Sequence, residues 1–140
     1  NSSRPWQHVL DCINGYLLAA KFSYLKKKNF DSWNFSSEFK SKKVSEILYM
    51  LVEKKILKKK IIKFIKNKID ETKYLNLNST KAKKILKWNS AYNLNDSIKE
   101  TFLVYDILDK KIHYSKKKIL LNKRLTIFLE KVYGNSFRSK

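Results

Sequence analysis

Glycine sets the first limit on this chain. Of 140 residues only Gly15 and Gly134 are glycine, and Pro5 is the one proline. Backbone that runs left-handed, turns tightly or lies against a phosphate ordinarily relies on glycine, because no Cβ stands in the way. A dinucleotide-binding GxGxxG loop needs three glycines within six positions, and a P-loop needs two in one short loop. With its two glycines near opposite ends, this sequence builds neither phosphate cradle.

Other classes fall to similar arithmetic. The lone Cys12 excludes a disulfide framework and a thiolate zinc site, and fits a reducing, cytoplasmic setting. His8 and His113 lack metal-ligand spacing, so no metal is expected. The longest apolar run is Ile47 to Val52, too short to span a membrane. The chain opens at Asn1 without Met or a signal pattern, as a fragment would. Its length suits one domain with one core.

The formal net charge of +20 points toward a polyanion partner. Yet only Arg4, Arg124 and Arg138 among the 32 basic residues are arginine, and each half of the chain carries 16 basic and 6 acidic residues. Even spreading of lysine in an Ile- and Asn-rich chain reads as composition and solvated surface rather than as a nucleic-acid arm.

Periodicity predicts alternating helices and short strands, hence an α/β or α+β class. Asp11 is expected to cap a helix that buries Ile13, Tyr16, Leu17 and Ala20 and runs to about Leu25. Ser32 to Phe35 reads as a buried strand. Ser41 is expected to cap a second helix, with Val44, Ile47, Leu48, Leu51 and Val52 as its core stripe. Lys60 to Lys66 reads as a strand, and Tyr74 to Leu77 as a short extended piece. Ser79 and Thr80 open a brief helix through Leu86 that closes at Trp88. Asn95 caps a longer helix carrying Ile98, Phe102, Tyr105 and Leu108. A lysine-rich connection and a short apolar segment at Ile119 to Leu121 then precede a final helix ending near Gly134. Ile85, Leu86, Trp88 and Phe102 complete the expected core.

The opening residues carry more specific information. Arg4-Pro5-Trp6-Gln7-His8-Val9, followed by Gly15-Tyr16-Leu17-Leu18-Ala19, resembles the RPWQHV segment and GYLLLAE-type helix of the CDP-glucose 4,6-dehydratases. Trp33-Asn34-Phe35 is similar to that family's WNFGP loop. Asp70-Glu71 with Tyr74-Leu75-Asn76-Leu77 is similar to its HEA-x-YLKLD segment. Ser79-x-Lys81-Ala82 through Leu86-x-Trp88 resembles SKA…LGW, and Asn95 to Tyr105 the last helix with its T-x-x-x-Y ending. The likeness covers residues 1–108. Residues 109–140 match nothing in it and stand as a Lys-rich helical extension of unknown role.

The family belongs to the extended short-chain dehydrogenase/reductases, which pair an N-terminal Rossmann lobe for NAD with a smaller C-terminal nucleotide-sugar lobe. The resemblance implies that this chain is the α/β C-terminal substrate-binding lobe, with mixed short strands and helices and without the Rossmann lobe. It further implies a hydro-lyase reaction of the complete enzyme, CDP-glucose to CDP-4-keto-6-deoxyglucose plus water, as in deoxysugar biosynthesis. NAD oxidises C4, C5 loses a proton as the C6 hydroxyl leaves, and the hydride returns to C6. The proton-handling Tyr-x-x-x-Lys pair belongs to the lobe not present here. Tyr24-x-x-x-Lys28 and Tyr114-x-x-x-Lys118 match that pattern, but eight tyrosines in so lysine-rich a chain produce such matches by chance. No catalytic, cofactor-binding or metal residue is therefore assigned, and the isolated chain is expected to be inactive.

The resemblance implies substrate contacts at Arg4, Trp33, Asn34, Glu71 and Tyr74. At Arg4 a guanidinium fork would bind phosphate oxygens bidentately, which lysine does not do. Trp6 and His8 are expected to pack and orient the segment. Ser36 and Ser37 stand where the family has Gly-Pro, and Asp70 where it has His. The implied partners are a CDP-sugar and a Rossmann lobe in cis or in trans. The competing class is a small basic protein that binds nucleic acid or another polyanion, disfavoured by the even charge and the scarcity of arginine.

Overall fold

The computed structural model describes residues 2–27, 31–37, 40–63 and 72–134. Its elements are β1 (Ser3–Arg4), α1 (Val9–Lys26), β2 (Lys42–Lys43), α2 (Val44–Glu53), α3 (Leu94–Asp109) and α4 (Tyr114–Tyr133), with a 3₁₀ turn at Lys59–Ile61 and a π-type turn at Ala82–Leu86. The class is mixed α/β, dominated by helix. β1 and β2 pair antiparallel, Ser3 against Lys43 and Arg4 against Lys42. The extended piece expected at Tyr74 joins as a parallel bridge to Ser3: the Ser3 N–H donates to the Lys73 carbonyl at 2.8 Å, and the Leu75 N–H to that of Ser3 at 3.2 Å.

Helix caps fall near, but not on, the expected residues. His8 rather than Asp11 caps α1, its side chain accepting from the Leu10 N–H at 3.3 Å. Asp11 reaches across the fold instead, where its Oδ1 accepts from the Ala91 N–H at 2.7 Å. Ser41 donates to the Leu75 carbonyl, and the first turn of α2 is closed by Glu46, whose carboxylate accepts from the Lys43 N–H at 2.8 Å. Asn93, two residues before Asn95, caps α3 by accepting from the Asp96 N–H.

The largest correction concerns which face of α1 is buried. Ile13, Tyr16 and Leu17, expected in the core, are all exposed, whereas Asp11, Asn14 and Gly15 are buried and Leu18, Ala19 and Phe22 pack inward. The core centres on Phe35, Ala82, Leu86 and Trp88. Gly15 makes this possible: a Cβ there would lie 2.6 Å from the Phe35 ring. Trp88 is 1% exposed and donates its indole N–H to the Asp11 carbonyl at 2.9 Å.

Ser32 to Phe35 is irregular rather than a strand, because its polar groups bond to side chains and not to a ladder, as when Gln7 donates to the Phe35 carbonyl at 3.1 Å. The expected strand at Lys60–Lys66 begins within the 3₁₀ turn; from residue 64 it lies outside the described residues. The brief helix at Ser79–Leu86 is present, wound as a π-type turn. The lysine cluster at 116–118 and the apolar Ile119–Leu121 both lie within continuous α4. Of the expected core, Ile47, Leu86 and Trp88 are buried, Leu48, Leu51, Val52 and Phe102 are half-buried, and Val44 and Ile85 are exposed; of the other apolar positions expected on α3, Ile98 is buried and Tyr105 and Leu108 are exposed.

α4 packs on α3, with Arg124 donating from Nε to Glu100 at 2.8 Å in a half-buried bidentate pair. Phe128 packs against Tyr92 with the rings tilted at 48°, and the Tyr133 hydroxyl donates to Asn14 on α1 at 2.6 Å. No helix among the described residues is long and apolar enough to cross a membrane.

Candidate functional site

The segment from Arg4 to His8 is a hub, and nearly every side chain in it ties two strands of chain together. Arg4 donates from Nη1 to the Ser3 and Thr72 carbonyls, both at 2.9 Å. The Trp6 indole N–H donates to the Lys42 carbonyl at 2.9 Å, and the Trp6 carbonyl accepts from Ser37 Oγ at 2.7 Å. Gln7 holds the Phe35 carbonyl and touches Cys12. His8 is buried edge-on against Tyr92 at 5.0 Å. Burial lowers its pKa, opposed in part by the charge of Glu100. Trp6 and His8 therefore orient the segment, as expected of them.

What the hub organises is a polar cleft of about 400 Å³ between β1, the 36–41 stretch and the 74–77 stretch. Ser3, Pro5, Ser36, Ser37, Lys40, Ser41, Tyr74 and Asn76 line it, with Leu77 at its edge. Ser36 and Ser37 are both buried and fasten the wall. Ser79 Oγ donates to the Ser36 carbonyl at 3.2 Å, and Ser37 Oγ holds Trp6 as described. Lys40 and Tyr74 are the titratable groups of the described lining, with no carboxylate and no histidine among them. Such a lining hydrogen-bonds hydroxyl and oxyanion groups and is poorly equipped to move protons.

The residues expected to touch substrate are only partly brought together. Tyr74 lines the cleft and bridges to Ser3, whereas Arg4, next to Ser3 on β1, bonds the Thr72 carbonyl and is not part of the lining. The Tyr74 ring is 71% exposed, which leaves it accessible at the cleft mouth. Trp33 sits away from the lining, edge-on to Phe22 at 5.6 Å with the Lys81 ammonium 4.5 Å over its ring. Asn34 is exposed, and Glu71 lies outside the described residues. Lys40, Ser41 and Asn76 were not singled out in advance. Their signal is weak in sequence, because their meeting depends on pairing across more than thirty residues, as in the Ser41 to Leu75 bond.

The glycines take up structural posts. Gly15 lies under Phe35 and Gly134 closes α4 at φ +66°. Tyr24 and Tyr114, the tyrosines of the chance Tyr-x-x-x-Lys matches, are both strongly exposed.

No family model matches the chain, and no solved structure matches it. Among curated proteins it is similar to the CDP-glucose 4,6-dehydratase of Salmonella typhimurium, at 29% identity over 102 residues. The match takes in 69% of this chain and 28% of that relative's length. The chain is thus distantly related to a sugar-nucleotide enzyme and corresponds to little more than a quarter of it.

Proposed function

We propose that this chain is the nucleotide-sugar-binding lobe of a CDP-glucose 4,6-dehydratase-like enzyme. In this reading residues 1–108 form the lobe and residues 109–140 a helical extension. The observation that carries it is the convergence of three stretches distant in sequence, Ser3 with Pro5, Ser36 to Ser41, and Tyr74 to Leu77, on one hydroxyl-lined cleft, with Pro5 and Tyr74 to Leu77 belonging to the segments that resemble that family. Arg4, Trp33, Asn34, Glu71 and Tyr74 are its proposed substrate contacts, with Lys40, Ser41 and Asn76 added by the cleft. The chemistry would come from a second lobe holding NAD and the proton-transfer residues. The exposed apolar stripe of α1, with Val9, Ile13, Tyr16 and Leu17 each between 43% and 63–64% exposed, supports a covering partner.

The test is calorimetric titration of the chain with CDP and with CDP-glucose. Saturable binding that survives moderate salt is expected, weakened about tenfold by Arg4→Lys, because a point charge replaces a bidentate fork. No turnover of CDP-glucose is expected from the chain alone with NAD, and sustained turnover overturns that claim. Absence of CDP binding, together with tight and steeply salt-dependent binding of DNA or RNA, would favour the polyanion class instead.

A further inference from the structure

A second cleft, sharing no lining residue with the first, lies between α1, the loop after the π-type turn, and the C-terminal end of α4. It encloses about 440 Å³, within the range of small-molecule sites. Its polar lining can donate throughout and holds no carboxylate: Asn14, Lys87, Asn89, Ser90, Lys131 and Tyr133.

Two of these groups have hydrogen-bonding capacity that the fold does not use. Asn14 is 4% exposed. Its Oδ1 accepts from the Tyr133 hydroxyl at 2.6 Å, and its amide nitrogen has no partner among the described residues. Ser90 Oγ is buried and likewise unpartnered. A buried hydroxyl left without a partner costs free energy, so Ser90 Oγ beside the unused Asn14 amide marks a place where a ligand acceptor would be favourable. The charges agree. Lys131 is shared with Asp96 at 3.3 Å and stacks over Tyr92, which leaves Lys87 as the cation with no described partner. Lys87 is held there by a left-handed backbone at φ 56°.

We propose that this cleft binds a small oxyanion, the carboxylate or phosphate of a metabolite-sized molecule, through Asn14 Nδ2, Ser90 Oγ and the Lys87 ammonium. The site is separate from the cleft at β1 and does not depend on what that cleft binds.

The test is an NMR titration of the ¹⁵N-labelled full chain with sodium phosphate and, separately, sodium acetate, at constant ionic strength. At least one salt should give saturable shifts of the Asn14 side-chain amide and the Ser90 backbone amide. Ser90→Ala and Lys87→Gly should each weaken that binding about tenfold, the loss of one hydrogen bond to a charged group. Both should keep the urea midpoint at or above that of the parent chain, because one removes an orphan hydroxyl and the other relaxes a left-handed backbone. Should one variant fail to fold, the other decides. Shifts that do not saturate with either salt, or that spread over lysines elsewhere and persist in the variants, overturn the proposal.

Discussion

Replacing Gly15 by alanine is expected to destabilise the chain, against the usual rule for a helix interior. Glycine there costs about 1 kcal/mol relative to alanine, so an unobstructed Gly→Ala change would raise stability by that amount. At Gly15 the added Cβ would lie 2.6 to 2.8 Å from three carbons of the Phe35 ring. Carbon atoms in contact prefer about 3.5–4.0 Å, so the ring must retreat by about 1 Å. It has nowhere easy to go. Phe35 is packed edge-on against Trp88 at 5.2 Å and Tyr16 at 5.7 Å, and its carbonyl is held by Gln7. Overpacking of this kind costs about 1–3 kcal/mol and occasionally more. After the propensity gain, Gly15→Ala is expected to lose up to about 2 kcal/mol net, or up to roughly 8 °C in Tm for a domain of this size.

The assay is urea unfolding followed by circular dichroism, run as a double-mutant cycle with Phe35→Leu. In the leucine background the obstruction is gone, and Gly15→Ala should become neutral or stabilising, giving a coupling of at least about 1 kcal/mol. An increase in the urea midpoint for Gly15→Ala alone, or a cycle without coupling, would refute the argument that ring contact fixes the face of α1.

Asp11 is fully buried, and desolvation raises its pKa despite the hydrogen bonds from the 91–92 backbone. Its protonated form favours folding. That contribution is complete below the unfolded value near 4 and is lost as pH rises through the raised folded value. Asp11→Asn keeps an acceptor for Ala91, so its urea midpoint relative to the parent should climb between pH 4 and 8; a constant difference contradicts this. His8 has the opposite sign. Its lowered pKa gives stability present above the unfolded value near 6.5 and lost as pH falls through the folded one, so His8→Asn, which retains a capping side chain, should flatten the stability slope between pH 7 and 5. Glu100→Gln breaks the bidentate pair with Arg124 and should cost about 1–2 kcal/mol by urea unfolding, less in high salt. Lys55→Gly replaces a lysine held at φ 57° and should gain up to about 1 kcal/mol in the same assay.

Glycine scarcity was legible from the start, but only half of its meaning. Two isolated glycines cannot build a glycine-rich phosphate loop. What the scarcity also required, that left-handed positions be filled by other residues, emerges at Lys27, Lys55 and Lys87, which a local reading takes for solvated lysine. Elements with strong periodicity were legible too: α2, α3, the brief turn before Trp88 and the end at Gly134 all lie where the pattern puts them to within a few residues. The buried face of α1 was not. Its apolar spacing at Ile13, Tyr16 and Leu17 is real, yet the inward face carries Asp11 and Asn14, whose Oδ1 atoms accept from the Ala91 N–H and the Tyr133 hydroxyl, 80 and 119 residues away. No local window contains those partners. The one local clue was Gly15 itself, a poor helix former in mid-helix, and such a broken rule usually signals close approach by something else. The apolar face left over is then informative in turn. A helix that buries its polar side and exposes Val9, Ile13, Tyr16 and Leu17 carries a second surface suited to burial, which is the pattern expected of a lobe that works against a partner.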